Sequence, residues 1–160
     1  MTIGELQCVM APPSNPYRLF VSHSWDQTED YNRVFEYLEA SGTFYYKNTS
    51  LPDSKRPLDK ESQREDLRRQ IAPCEVVVVV PAAYKWAPEL VLFQMNFAKA
   101  ADKPIVAMEN FGSTEPIPKA VKDLADEVCA WNSRDLTDVL RRQARHEDTT
   151  RWDTIEFKLD

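Results

Sequence analysis

Strand-like and helical segments alternate along this chain of 160 residues, and no other feature of the sequence constrains its fold as strongly. Five segments are apolar, β-branched or aromatic enough to form strands: YRLFVS (17–22), TFYYKN (43–48), VVVVV (76–80), KPIVAM (103–108) and EVCAWN (127–132). Parallel strands need crossover connections, and helices between the strands supply them. The alternation therefore predicts an α/β fold in which a five-stranded parallel sheet carries helices on both faces.

The connections between these strands carry the signals of helices. Apolar residues spaced along one helix face predict a first helix that ends at Gly42. A polar helix over 61–72 and an apolar helix beginning at Pro88 follow, and a last helix begins near Ser133. A short break follows the five valines and precedes Trp86.

The length of the chain favours one domain with a single core over two small domains. We assign this domain to residues 17–144, with an N-terminal extension over 1–16 and a charged tail over 145–160. Apolar residues alternate with charges at positions 155–159. That alternation fits a strand at a sheet edge or a segment that docks on a partner, and the charge of the tail fits a solvated segment as well.

Composition narrows the classes of function. The formal net charge of −6 argues against a general nucleic-acid binder, because phosphate binding needs clustered Lys and Arg. The three cysteines form no CxxC pair, which favours a reducing, cytoplasmic compartment over a disulfide framework. No apolar stretch approaches about 18 residues, and the first residues lack the features of a signal peptide, so no membrane span is expected.

Several well-known site motifs are absent from the sequence. None of the three glycines belongs to a dinucleotide-binding GxGxxG or to a P-loop GxxxxGK[ST]. The two histidines and the scattered cysteines lack the spacing of metal ligands, and no GxSxG nucleophile motif occurs. We therefore expect no metal and no permanently bound cofactor.

Ligands of parallel α/β sheets bind outside the carboxyl ends of the strands. Three segments follow or end strands there and become candidates: SHSW (22–25), KNTSLP (47–52) and PAAYKWAPE (81–89). His23 is either a satisfied structural histidine or a group that faces a ligand. Trp25 either packs on the core or stacks on a ligand.

Glu89 is the sharpest of these candidates. Pro88 suits the first position of a helix, which places Glu89 in the first turn. An acid there complements the helix dipole, and this effect alone could explain the residue. The alternative is functional: a carboxylate held at the ligand-binding edge beside Trp86 could stabilise a ribosyl oxocarbenium ion, the cation formed when an N-glycosidic bond breaks.

Six stretches of the chain together resemble one family. They are FVSHSW (20–25), YKNTSLP (46–52), VVVVVPAAYKWAPEL (76–90), KPIVA (103–107), the FG…IP…ADEV segment (111–128) and WNSRDLTDVLR (131–141). In their order and spacing, over residues 17–142, they are similar to the TIR-like proteins of bacterial Thoeris anti-phage systems.

The resemblance implies a flavodoxin-like sheet and chemistry on NAD as the substrate. Catalytic TIR domains similar to this chain cleave the nicotinamide–ribose bond with the glutamate that opens a helix, and Glu89 holds that position. The resemblance further implies a shared role in substrate binding for eight residues: Ser22, His23, Ser24, Trp25, Asn48, Ser50, Tyr84 and Trp86. Among them, Trp86 is expected to shape the ribose site, and the loop of Asn48 and Ser50 to contact the nucleotide or a neighbouring subunit.

The leading prediction is thus a TIR-like NAD-cleaving enzyme whose product, a cyclic ADP-ribose signal, activates a separate effector during phage infection. Its expected partners are NAD, further copies of itself bound through TIR-like surfaces, and that effector, with no nucleic acid and no membrane. Two alternatives stay open. One is a TIR-like interaction module that assembles through the loop over 47–60 and through helix surfaces without turnover. The other is a further nucleoside-processing enzyme on a similar sheet, such as a deoxyribosyltransferase-like protein.

Overall fold

The computed structural model describes residues 14–26, 28–147 and 149. Most of the predicted N-terminal extension and most of the predicted tail lie outside the described residues, and so do the alternating positions 155–159. Within the described part of the chain, the helices and strands run from Tyr17 to Arg145.

Five strands form one sheet in which every pairing is parallel. The strands are β1 (Tyr17–Val21), β2 (Tyr46–Asn48), β3 (Val76–Val79), β4 (Ile105–Met108) and β5 (Glu127–Cys129). Their order across the sheet is β2–β1–β3–β4–β5. This is the strand order of flavodoxin-like folds, so the predicted fold class is confirmed.

Six helices connect or follow the strands in the part of the chain that the structure describes. They are α1 (Glu29–Ser41), α2 (Lys60–Ile71), α3 (Pro81–Trp86), α4 (Pro88–Ala100), α5 (Lys119–Leu124) and α6 (Ser133–Arg145). Helix α1 packs with α6, and α4 packs with both α2 and α5. None of these helices, among the residues described, is both long and apolar enough to cross a membrane.

Local signals account for the ends of the longer helices. Thr28 caps α1 by accepting a hydrogen bond from the Tyr31 amide, and Asn132 caps α6 in the same way through the Asp135 amide. Helix α1 ends at Gly42, as predicted, and the φ of 71° at this residue is the left-handed conformation that glycine adopts without strain.

The sequence did not predict α3 and α5, which have six residues each. The break predicted between the valines and Trp86 is helical, because Pro81 takes the first position of α3 and there has no amide hydrogen to lose. Six residues make fewer than two helical turns, so no apolar periodicity can develop in either helix.

The valine run forms the centre of the core. Every residue of β3 is fully buried, as is Val80 beyond it, and β4 is fully buried as well. A strand that hides the side chains of both its faces must be covered by helices on both sides of the sheet. At about 1.5–3 kcal/mol for each fully buried aliphatic side chain, this strand contributes heavily to the folding free energy.

Candidate functional site

The chain changes its direction of travel across the sheet at β1. From β1 it passes to β2 on one side, and from β2 it returns to β3 on the other side. Such a switch point opens a crevice at the carboxyl ends of the strands, where ligands of this fold class bind. The predicted segments 22–25, 47–52 and 81–89 lie at this edge, because they end or follow β1, β2 and β3.

Ser22 closes the end of β1 and is fully buried. Its N–H donates to the carbonyl of Val78 at 2.9 Å, and its Oγ accepts from the N–H of Val80 at 3.3 Å. Ser24, two residues further on, is also buried. The polar groups of Ser22 therefore join the end of β1 to the end of β3.

His23 lies in the centre of a buried hydrogen-bond network and is 1% exposed. Its Nδ1 accepts from the backbone N–H of Trp25 at 3.1 Å, and its Nε2 lies 2.7 Å from Gln70 Oε1. Because the Trp25 amide can only donate, Nδ1 carries no proton. The neutral imidazole therefore holds its proton on Nε2 and donates it to Gln70.

Gln94 of α4 fixes the backbone of His23. The Nε2 of this fully buried glutamine donates to the His23 carbonyl at 2.6 Å, and its Oε1 accepts from the His23 N–H at 3.3 Å. The side-chain amide thus satisfies two backbone groups that have left the sheet. His23 is thus placed as a structural histidine with its hydrogen bonds satisfied, the first of the two interpretations above. A contact between His23 and a substrate stays a prediction.

Mild acid should destabilise the fold through His23. Burial lowers the pKa of the His23 imidazole from its ordinary value of 6.5, although Gln70 and Asp66 act in the opposite direction. Below pH 6.5 the unfolded chain binds a proton that the folded chain does not yet bind. The free energy of unfolding should therefore fall with pH below this value, by at most about 1.4 kcal/mol per unit until the folded-state pKa is reached.

Urea unfolding at a series of pH values between about 5.5 and 7.5 measures this slope around the ordinary histidine pKa. His23→Asn should remove the slope, and His146→Asn is the matched control. His146 is exposed at the end of α6 with a φ of 55°, a left-handed conformation that asparagine adopts readily. An unchanged slope in His23→Asn would contradict the assignment.

Trp25 adopts a left-handed backbone conformation with a φ of 67°, which is rare for a large side chain. The side chain is nearly buried, and its ring stands edge-on to His23 with 5.2 Å between centroids. Its indole N–H donates to Ser54 Oγ at 3.3 Å. The loop that follows β2 therefore covers Trp25. Of the two predicted interpretations, the position of this side chain fits packing on the core.

Asn48 and Ser50 form a closed hydrogen-bond ring with Tyr31 of α1. The Asn48 amide donates to the Tyr31 hydroxyl at 3.0 Å, and the Tyr31 hydroxyl lies 2.8 Å from Ser50 Oγ. The Ser50 hydroxyl in turn donates to Asn48 Oδ1. Burial raises the pKa of Tyr31, which keeps the phenol protonated. The polar groups of this loop are thus directed toward one another.

Tyr84 and Trp86 lie on α3, just beyond β3. Tyr84 is partly buried against the core, whereas Trp86 is 68% exposed. The indole N–H of Trp86 donates to Asp26 Oδ2 at 3.2 Å. The same carboxylate oxygen lies 3.8 Å from a guanidinium nitrogen of Arg56, in the loop after β2. Asp26, directly after the segment 22–25, therefore links α3 with the loop after β2 at the protein surface.

Glu89 lies in the first turn of α4, as predicted. Ala87, with a φ of −142°, separates this turn from α3 and makes no side-chain cap. The Glu89 side chain is 86% exposed, and its Oε1 lies 3.8 Å from Nζ of Lys60 at the start of α2. The carboxylate is therefore open to solvent, close to one cation and next to uncapped amides of the helix.

The carboxyl edge of the sheet thus has two layers. The predicted site residues of the buried layer are Ser22, His23, Ser24, Trp25 and Ser50, and those of the exposed layer are Trp86 and Glu89. Asn48 and Tyr84 are only partly buried, between the two. Sequence reasoning missed the residues that hold these layers in place, namely Gln70, Gln94, Asp26, Arg56 and Lys60. Only Gln94 carries a signal of its own, as a polar residue inside an apolar helix.

A groove of ≈ 580 Å³ lies at the opposite edge of the sheet, before β3, β4 and β5. Four of its charged side chains form two ion pairs: Arg18 lies 3.5 Å from Glu75, and Lys99 lies 2.9 Å from Asp126. Among the described residues, no group of His, Cys, Asp and Glu could hold a metal ion. The carboxyl edge therefore remains the candidate site.

The fold and this edge define a flavodoxin-like α/β protein whose polar and aromatic groups gather at the switch point of the sheet. Sequence profiles of known protein families do not match the chain, and neither do the sequences of curated proteins.

Proposed function

We propose that this chain is a TIR-like enzyme that cleaves NAD at the nicotinamide–ribose bond and makes a cyclic ADP-ribose-type signal in the cytoplasm during anti-phage defence. The observation that carries the proposal is the position of Glu89. It is an exposed carboxylate in the first turn of a helix, at the ligand-binding edge of a flavodoxin-like sheet. NAD is proposed as the substrate because the surrounding segments resemble TIR-like proteins of Thoeris systems.

The chemistry needs a negative charge beside the reacting ribose. When the C1′–N bond breaks, its electron pair leaves with nicotinamide, which becomes neutral, and the ribosyl group becomes an oxocarbenium ion. The Glu89 carboxylate stabilises this cation, as carboxylates do in glycoside hydrolysis. A hydroxyl group of the ADP-ribose part then forms the new bond and loses its proton, or water does so and gives the linear product.

Lys60 has a defined part in this proposal. Its ammonium group is 3.8 Å from Glu89, and both side chains are at least 80% exposed. An ion pair so exposed is worth no more than about 1 kcal/mol. The nicotinamide ring of NAD is itself positively charged, so the bound substrate replaces Lys60 as the cation beside Glu89.

The buried layer gives the site its rigidity. His23, Trp25 and Ser50 have their polar groups bonded within the protein, so the surface above them keeps its shape when a ligand binds. Trp86 is exposed, and its indole is held by Asp26, which leaves its face free to contact the ribose. In this proposal a separate effector receives the product, and copies of the chain associate through surfaces of the same edge.

A second candidate function is a TIR-like interaction module without turnover. The observation in its favour is a set of exposed apolar side chains. Leu58 is 96% exposed and Leu51 is 53% exposed, and both lie in the loop after β2. Trp86 adds a third exposed apolar side chain at the carboxyl edge. Exposed apolar residues grouped at one edge are typical of protein-binding surfaces.

The test incubates NAD with the purified protein and with lysate of phage-infected cells that express it. Mass spectrometry follows nicotinamide and cyclic ADP-ribose-type products, and the lysate supplies any trigger that activity requires. Nicotinamide with a cyclic product supports the proposal. Absence of turnover in both settings, together with concentration-dependent self-association, would instead assign the chain to the interaction module.

A further inference from the structure

Gln70 joins two loops of the candidate site through a single oxygen atom. It lies near the end of α2 and is nearly fully buried, although that helix is otherwise strongly polar. Its Oε1 accepts from His23 Nε2 at 2.7 Å and from the backbone N–H of Leu51 at 2.9 Å. Its Nε2 donates to Asp66 Oδ2 at 3.0 Å. The loops after β1 and β2 thus share one acceptor.

The partners of Gln70 determine the orientation of its amide. The Leu51 N–H can only donate, so an oxygen atom must face it. The carboxylate of Asp66 accepts hydrogen bonds, so the NH₂ group must face Asp66. In the opposite orientation the NH₂ group of Gln70 would face the Leu51 N–H, and its oxygen would face the Asp66 carboxylate. Both contacts would be repulsive, and both are partly buried.

The hydrogen bonds that start at Gln70 close into a circuit. His23 accepts from the Trp25 backbone at 3.1 Å, and the Trp25 indole donates to Ser54 Oγ at 3.3 Å. The Ser54 hydroxyl donates to the Leu51 carbonyl at 2.7 Å, and the Leu51 N–H returns to Gln70. Asp26 follows Trp25 in the chain and holds the Trp86 indole, so the circuit extends to the exposed layer.

We propose that Gln70 is a positioning residue that couples the loop over 22–26 with the loop over 49–59, so that both loops hold one relative position beneath Trp86 and Glu89. The coupling follows from the circuit itself, and its effect on catalysis rests on the function proposed above. Without the Gln70 oxygen, His23 keeps a buried donor with no acceptor, which is costly in the interior, and the partly buried N–H of Leu51 loses its acceptor as well. The two loops then lose their common anchor.

Two substitutions separate hydrogen bonding from packing. Gln70→Met keeps the length of the side chain and removes its acceptor. Gln70→Glu keeps an oxygen toward His23 and Leu51 and sets its second oxygen against Asp66 Oδ2, where a proton shared by the two carboxyl groups replaces the hydrogen bond of the amide. If the side chain of Gln70 only fills space, the two variants should behave alike.

The experiment measures amide hydrogen exchange by NMR in the protein without ligand. In Gln70→Met we expect exchange at Leu51 and Trp25 to rise together, by at least about tenfold, because each loop loses the anchor of the other. In Gln70→Glu both amides should stay protected near neutral pH, because one oxygen still accepts from both loops. Gln143→Met on α6 is the control and should leave both amides protected.

Faster exchange at Leu51 alone in Gln70→Met would overturn the coupling, and so would loss of protection at both amides in Gln70→Glu. The second variant decides the question even if the first does not fold. If the wild type cleaves NAD, Gln70→Met should lower kcat by at least about tenfold with a smaller change in KM, as loss of positioning does. An unchanged kcat would overturn the catalytic part. A wild type that leaves NAD intact would overturn the proposed function, while the exchange data still decide the coupling.

Discussion

Glu89→Gln should lower the rate of nicotinamide release from NAD by at least about 100-fold, the usual effect of removing one preorganised electrostatic group from an active site. The amide keeps the size of the side chain and its place in the first turn of α4. What it removes is the negative charge that stabilises the ribosyl cation. Stability should change little, because a first-turn acid contributes about 0.3–1 kcal/mol through the helix dipole and an exposed ion pair a similar amount.

Glu61→Gln provides the matched control for this substitution. Glu61 is also an exposed acid in the first turn of a helix, and it pairs with Arg68 at 3.5 Å. The two variants should lose similar amounts of stability, but only Glu89→Gln should lose turnover, measured as nicotinamide by mass spectrometry. Equal turnover in Glu89→Gln and the wild type would leave the helix dipole as a sufficient explanation of Glu89.

Gln94→Leu should lower the free energy of unfolding by about 2–5 kcal/mol, although leucine nearly matches the volume of glutamine. Gln94 is fully buried and satisfies both backbone groups of His23. Leucine leaves that N–H and that carbonyl without partners in the interior, at about 1–3 kcal/mol for each group. The apolar surface that leucine buries offsets part of this cost.

Urea unfolding of Gln94→Leu beside Gln143→Leu checks this expectation. Gln143 is partly exposed on α6 and donates to the Glu127 carboxylate at 3.0 Å, a group that water can reach when the glutamine is removed. The control should therefore lose less than about 1 kcal/mol. Similar losses in the two variants would mean that the bonds to the His23 backbone contribute nothing beyond packing.

The architecture could be predicted because its signals are local and repeated. Five apolar strand segments with helical spacing between them leave few arrangements other than a parallel sheet. Gly42 ends α1 and Pro88 begins α4 for reasons that lie in the backbone of each residue. The same reasoning placed Glu89 in the first turn of its helix.

The burial and the hydrogen bonds of the site residues could not be predicted, because they depend on contacts between residues that are distant in the chain. A glutamine such as Gln70, in a helix of charged residues, has the sequence context of a solvated surface, and only the approach of His23 and Leu51 buries it. The exposure of Glu89 likewise depends on where α2 brings Lys60. Helix α3 went unpredicted because a proline after a strand is compatible with both a break and a helix start.

The wide separation of bonded residues along the chain has a consequence for biosynthesis. Arg18 and Glu75, which flank the pairing of β1 with β3, are 57 residues apart, and His23 is 71 residues from Gln94. A ribosome therefore releases β1 and the segment after it long before their partners exist. Until α4 emerges, the nascent chain holds an unpaired strand and two backbone groups of His23 that only water can satisfy. The candidate site thus cannot form before α4 has been synthesised, and a chain cut short before α4 would expose its future interior to chaperones and proteases.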